Sequence, residues 1–127
     1  MLKSKISHCY LGKPEAPREF HEASASSRAI VVSFVPGLDG GYPQSITTHY
    51  RRTGDADYSQ YETDFVDPQQ DREYELRLSG SDFQSGGSYE IYLQADNDHT
   101  DGEASQSQTI TVTMPGNIIY RYDTQLL

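Results

Sequence analysis

Hydrophobic and polar side chains alternate regularly through residues 89–97, the stretch around which the rest of the chain is organised. The alternate positions hold Tyr89, Ile91, Leu93 and Ala95. A β-strand places successive side chains on opposite faces, so this period of two predicts a half-buried central strand. Phe83 and a turn-forming stretch, residues 84–88, precede it. We expect Tyr89 to bury its ring and keep its hydroxyl bonded to nearby backbone, the arrangement called a tyrosine corner.

Six further segments have strand character and are separated by turn-forming residues: 18–24, 27–35, 44–52, 58–65, 73–78 and 106–114. The faces expected to point inward are Ile30, Val32 and Phe34, then Ile46, Thr48 and Tyr50, then Tyr74, Leu76 and Leu78. Thr48 is a polar choice for such a face, so its hydroxyl should find a backbone acceptor. The segment 58–65 has no apolar face, which predicts a short, exposed edge strand. Seven short strands without a capped helix or an internal repeat predict an all-β sandwich.

The same pattern divides the chain into three parts. Residues 1–12 show no period and are predicted to be an N-terminal leader or linker. Residues 13–115 form the domain, and residues 116–127 form a C-terminal tail or linker.

A chain of 127 residues can bury a core without disulfides or metal, and the lone Cys9 cannot form an internal bridge. The first nine residues lack the apolar region of a secretory signal, and no apolar run approaches the roughly 20 residues of a membrane helix. A secreted or membrane-attached parent would carry those segments outside this sequence.

Charge narrows the possible partners. Nineteen acidic residues against ten basic ones give a net charge of −9, which disfavours nucleic acid and anionic membranes. A protein partner is therefore expected, while the oligomeric state is left open.

The chain from about Lys13 to Pro115 resembles a fibronectin type III domain. Phe34 stands at the position where this family usually has tryptophan. The residues that carry the resemblance are Pro14, Pro17, the strand 30–34, Phe83 and Tyr89 of the corner, residues 95–97, Gly102, Ala104 and Ser107. The resemblance implies a seven-stranded, immunoglobulin-like β-sandwich. Ser81 and Asp82 stand as an insertion before Phe83, and two extra residues lengthen the loop after Asn97. The smaller Phe34 requires neighbouring side chains to repack around it. The loop 36–44 resembles that of nephrin-like adhesion receptors of the immunoglobulin superfamily.

No residue pattern indicates a reaction. The loop 96–103 alternates carboxylates as calcium loops do, but Asp101 occupies the position where an EF-hand needs glycine. The four histidines, His8, His21, His49 and His99, lack zinc-site spacing, and no G-x-S-x-G elbow is present. We therefore expect no enzyme activity, no catalytic residue, no cofactor and no metal.

Two surfaces are candidates for binding a partner. The loops after the second and sixth predicted strands should emerge at one end of the sandwich, and loops on a rigid scaffold commonly bind. Their candidate contact residues are Leu38, Asp39, Tyr42, Asp98, His99 and Asp101, with Tyr42 as the aromatic anchor. An equally good explanation is that both loops are acidic, Gly-rich connectors. The second surface is the edge carrying Tyr58 and Tyr61, which could pair with another chain, although cross-strand packing explains these tyrosines as well.

The predicted function is that of a non-catalytic protein-interaction and spacer module of a larger cell-adhesion or receptor protein, outside the cell or at its surface. One alternative is an accessory module of a modular enzyme. Another is a cytoplasmic structural module of a muscle-type array. The membrane would be reached only through a transmembrane segment outside this sequence.

Overall fold

A computed structural model describes residues 12–62, 65–98 and 104–116, and these residues form two antiparallel sheets. The described strands are β1 (Arg18–Ala25), β2 (Ala29–Val35), β3 (Ser45–Arg52), β4 (Ser59–Gln60), β5 (Phe65–Val66), β6 (Tyr74–Ser79), β7 (Ser88–Asp96), β8 (Ser105–Gln106) and β9 (Ile110–Thr113). The smaller sheet has the order β1-β2-β6. The larger sheet has the order β4-β3-β7-β8, with β5 paired to β3 and β9 paired to β7. The predicted all-β sandwich is confirmed.

Two of the seven predicted strands are interrupted, which is why the described residues form nine strands. Among the described residues, the predicted strand 58–65 occurs as β4, which pairs with His49 and Tyr50 of β3, and β5, which pairs with Ser45 and Ile46 of β3. The predicted strand 106–114 occurs as β8 and β9. At the break, Ser107 Oγ accepts a hydrogen bond from the Leu93 backbone N–H at 2.8 Å, so a side chain replaces a backbone carbonyl in the ladder.

The core lies between the sheets and follows the predicted alternation. Ile30, Val32 and Phe34 of β2 are fully buried, as are the inward residues of β3 and β7, with Tyr50 at 8% exposure the most open of these. Phe34 is surrounded by two further rings. Phe65 meets it edge to face with a centroid distance of 5.2 Å, and Tyr74 stacks on it at 5.9 Å. These rings are the neighbours that occupy the space beside the smaller side chain.

Thr48 corrects one prediction. Its side chain is fully buried, and Thr48 Oγ1 has no hydrogen-bond partner among the described residues. The expectation that this hydroxyl bonds to a backbone acceptor was wrong. Inward side chains of β3 point between the sheets, whereas the backbone carbonyls of β3 and β7 lie within the sheet and accept hydrogen bonds there from the N–H groups of the opposite strand.

The tyrosine corner is present before β7. The Gln84 backbone N–H donates to the Tyr89 hydroxyl at 2.7 Å, and the Tyr89 ring packs against Phe83 at a centroid distance of 5.0 Å. Glycine is required at position 87, because a Cβ there would lie 2.9 Å from the Tyr89 hydroxyl oxygen. The bond therefore holds the turn that precedes β7 against the ring that begins the strand.

The sandwich has two distinct ends. At the N-terminal pole, the Gly12 backbone N–H donates to the Gly40 carbonyl at 3.0 Å. At the C-terminal pole, the Gly86 N–H donates to the Pro115 carbonyl at 3.2 Å. Strand β7 runs from the second pole to the first, and its nine residues at about 3.4 Å each separate the poles by about 30 Å. The described chain thus begins at one pole and ends at the other.

Candidate protein-interaction surfaces

The N-terminal pole gathers the two loops that the sequence places at one end. Asn97 Nδ2, just after β7, donates to the Asp39 carbonyl at 2.9 Å and to the Gly12 carbonyl at 2.6 Å. Gly40 has a φ of 76°, and a Cβ there would lie 2.5 Å from the Gly12 carbonyl oxygen. Only glycine therefore allows this close approach. The loop 36–44 and the beginning of the loop after β7 do meet, braced by the Asn97 side chain.

Asp39 and Tyr42 line a groove of about 450 Å³ at this pole, together with Asp67 and Gln69 of the segment after β5. We call it the loop groove. Asp39 Oδ1 accepts a hydrogen bond from the Gly41 N–H at 2.8 Å, which fixes the carboxylate, and the Tyr42 ring is half-buried. The groove therefore combines a partly exposed aromatic ring with two carboxylates.

The other predicted contact residues do not line this groove. Leu38 is half-buried and its backbone is tied to Glu15, whose N–H donates to the Leu38 carbonyl at 2.8 Å. Asp98 is exposed beside the pole. His99 and Asp101 lie outside the described residues, so the structure places only part of the predicted set.

The outer face of the larger sheet carries a cluster of rings that the sequence did not indicate. His49 stacks on Tyr92 with a centroid distance of 4.7 Å, and Tyr58 meets Tyr92 edge to face at 4.9 Å. The Arg51 guanidinium lies 4.5 Å from the Tyr58 ring centre and donates to Glu90 at 2.6 Å. This hydrogen bond raises the pKa of Arg51, and burial raises the pKa of Tyr92. Cross-strand packing thus accounts for these side chains.

Tyr58 and Tyr61 do not form the single edge surface considered from the sequence. Tyr58 packs on the outer face, as described above. Tyr61 turns between the sheets, where its hydroxyl lies 3.3 Å from both the backbone N–H and the carbonyl of Ser79 in β6. Tyr61 therefore bridges the open side of the sandwich and does not share one surface with Tyr58.

A second groove, of about 410 Å³, lies beside the tyrosine corner and was missed from the sequence. Its principal lining residues are Tyr50, Tyr61, Glu62, Asp82 and Phe83. We call it the corner groove. The Tyr50 hydroxyl donates to Asp82 Oδ2 at 2.5 Å. Burial, this hydrogen bond and the negative charges of Asp82 and Glu62 raise the pKa of Tyr50 to about 12. The sequence indicates the inserted pair Ser81–Asp82, but no local pattern predicts its contact with Tyr50.

Within residues 12–62, 65–98 and 104–116, no group of three or more His, Cys, Asp or Glu side chains is placed to hold a metal ion. These residues also include no helix that is long and apolar enough to cross a membrane.

Comparison with known proteins gives the fold its context. No family model and no curated protein sequence matches the chain. Several solved structures do match the chain. The FN5 domain of Drosophila Lar is 24% identical with a TM-score of 0.59, and the match covers 82% of this chain and 99% of that one. The twitchin kinase region from C. elegans is 23% identical with a TM-score of 0.59, covering 81% of this chain and 17% of that one. Titin domains A168–A170 are 14% identical with a TM-score of 0.60, covering 81% and 32%.

Proposed function

Because the chain has the fibronectin type III fold, we propose that it is a non-catalytic protein-interaction and spacer module of a larger cell-adhesion or receptor protein. The observation that carries this proposal is the position of its ends. Gly12 is held at the N-terminal pole and Pro115 at the C-terminal pole, about 30 Å apart along β7. A module inserted in this way separates its neighbours by its own length.

The loop groove is the surface we assign to partner binding. The Asn97 side chain donates a hydrogen bond to the loop 36–44 at the Asp39 carbonyl. Tyr42 and Asp39 therefore lie on a loop that loses little conformational freedom when a partner binds. Tyrosine buries a large amphipathic area at a small cost in side-chain entropy, which makes Tyr42 the anchor. The loop resembles that of nephrin-like adhesion receptors, which supports a partner at the cell surface.

A panel of purified cell-surface ectodomains, tested against the immobilised chain, examines this proposal. We expect at least one ectodomain to bind, and Tyr42→Ala to weaken that binding by about tenfold or more. Tyr92→Ala removes the same ring from the outer sheet face and serves as the matched control. Binding that Tyr42→Ala leaves unchanged, or a panel without any binder, would refute this assignment.

A second candidate function is a cytoplasmic structural module in a muscle-type array. The similarity to domains of twitchin and titin favours it, because the matched region is a minor part of each of those chains. The fold therefore does not decide the compartment. Surface biotinylation of intact cells that make the parent protein separates the two: labelling supports the receptor module, and its absence supports the array.

An accessory module of an enzyme would be recognised by an adjoining catalytic domain in the full reading frame.

A further inference from the structure

The lining of the corner groove is aromatic on one side. The Tyr50 and Phe83 rings pack with a centroid distance of 4.7 Å, and Tyr61 meets them edge to face at 6.2 and 6.0 Å. Tyr50 and Phe83 are buried, so their rings support the half-buried Tyr61, which offers the more accessible ring surface of the groove. Aromatic walls attract cations and also pack against the apolar stem of a long charged side chain.

The lining of the groove also carries two carboxylates. Tyr50 holds the Asp82 carboxylate by its hydroxyl, and Glu62 lies close enough to Tyr50 for its charge to act on the phenol. The ion pairs among the described residues are Arg18–Asp71 and Arg51–Glu90, so neither groove carboxylate is neutralised by a described cation. The nearby Arg52 lines the adjoining groove and is directed to Gln84 Oε1, at 3.5 Å. Among the described residues, no ion pair offsets the negative charge of the corner groove.

One lining residue of the groove lies where the sequence resemblance places an insertion. Asp82 belongs to the pair Ser81–Asp82 that stands as an insertion relative to the fibronectin type III pattern. The insertion places the carboxylate opposite Tyr50, 32 residues away in the sequence. A volume of about 410 Å³ accommodates a long side chain with its charged head.

We propose that the corner groove binds a lysine or arginine side chain of a partner protein, with the ammonium or guanidinium at Asp82 and Glu62 and the methylene stem along the Tyr61 ring. The proposal rests on the proposed function only in taking the partner to be a protein. It concerns the C-terminal pole, whereas the loop groove lies at the N-terminal pole.

Amide chemical shifts of the ¹⁵N-labelled chain test the proposal with three small probes: the acetylated methylamides of lysine, arginine and norleucine. Norleucine has the apolar stem of lysine without its charge. We expect lysine and arginine to shift the amides of Ser81, Asp82 and Phe83, and norleucine to shift them much less. Asp82→Asn or Glu62→Gln should weaken lysine binding about threefold each, and the double variant about tenfold. Lysine binding itself should weaken as the salt concentration is raised, because salt screens the attraction between the charges.

Two control variants remove the same charge at distant positions. Asp98→Asn lies at the N-terminal pole and Glu22→Gln lies on β1, and both should leave lysine binding unchanged. In Asp82→Asn the amide oxygen can still accept the Tyr50 hydrogen bond, and a thermal melt of each variant verifies folding. Equal shifts with norleucine, or equal weakening in the distant variants, would overturn the proposal. Because these probes do not involve Tyr42, their result is independent of the ectodomain panel, and either proposal can fail alone.

Discussion

At the scale of single residues, Tyr50 links the core of the sandwich to its charged surface. Its ring packs on Phe83, while its hydroxyl reaches Asp82 at 2.5 Å. Ionising the phenol would place a negative charge in a buried position beside two carboxylates. This is the physical reason that its pKa rises to about 12.

Titration of tyrosine absorbance at high pH should show this shift directly. We expect one phenol to ionise near pH 12, later than an ordinary tyrosine at about 10. The folded state holds this proton more tightly than the unfolded state, so the stability from Tyr50 is complete below about pH 10 and is lost as the pH rises toward 12. In Tyr50→Phe the late-ionising component should disappear, and in Asp82→Asn it should move to lower pH. A late component that persists in Tyr50→Phe would assign it to another tyrosine.

Thr48 gives a second prediction at this scale. Its buried hydroxyl has no described partner, so its removal costs no hydrogen bond in the folded state. Thr48→Val should stabilise the protein by about 1 kcal/mol in urea unfolding, because a buried, unsatisfied hydroxyl costs about 1–3 kcal/mol.

Thr47→Val is the matched control for Thr48→Val. Thr47 is half-buried on the outer face of the same strand, next to the inward Thr48. We expect a change within about 0.5 kcal/mol there. A destabilised Thr48→Val would mean that the Thr48 hydroxyl has a partner that the described residues do not include.

At the scale of strands, the pairing between β3 and β7 determines which side chains meet on the outer face of the larger sheet. Their register places His49 beside Tyr92 and Arg51 beside Glu90, and these pairs become the ring stack and the ion pair of the outer face. The inward residues of the same strands supply much of the core. A register slip of one residue would exchange the two sets, which is why the alternation specifies this pairing so strongly.

The contact between strands β2, β5 and β6 around Phe34 gives a prediction at the same scale. Phe65 and Tyr74 already occupy the space that a larger ring would need. Phe34→Trp should therefore destabilise the protein by about 1–3 kcal/mol in urea unfolding, although tryptophan is usual there in the fibronectin type III pattern.

The compensating variant shows whether crowding by Phe65 is the cause. Phe65→Leu in the Phe34→Trp background should recover part of the lost stability, because it makes room beside the new indole. Phe65→Leu alone should destabilise the protein by removing the edge-to-face contact. Additive losses in the double variant would contradict crowding at this contact.

At the scale of the whole molecule, the two poles define how the proposed module would be joined to neighbouring domains. The N-terminal pole carries the loop groove, and the corner groove lies beside the tyrosine corner, toward the C-terminal pole. A partner at one groove is therefore separated from a partner at the other by much of the length of β7. This arrangement allows one module both to space its neighbours and to contact two partners.

Spin labels at Lys13→Cys and Gly116→Cys, with Cys9→Ser, test the separation of the ends. We expect a single narrow distance distribution at about 30–40 Å, set by the length of β7 and the two label arms. Lys13→Cys paired with Asp98→Cys provides a short-distance control, because Asp98 follows Asn97, which contacts Gly12. Ends separated by less than about 20 Å would be inconsistent with insertion from pole to pole.

The sequence by itself determined the class of fold and most of the core. The period of two in β2, β3 and β7 assigned the buried residues, because alternate side chains of a strand must lie on opposite faces. The turn before Tyr89 determined the corner for a local reason, since donor and acceptor are five residues apart. Pattern and turn chemistry act over short distances, and short-range features are what a sequence displays.

Only the tertiary structure decided which distant side chains meet. Tyr50 and Asp82 are 32 residues apart, and Asn97 is 58 residues from Asp39. Their contacts depend on strand register and on how loops return across the sandwich, neither of which leaves a local pattern. The interruptions of the predicted strands 58–65 and 106–114 and the unpartnered hydroxyl of Thr48 have the same origin. The central strand and its corner were thus legible in the sequence, whereas both grooves exist only because the strands around them are paired.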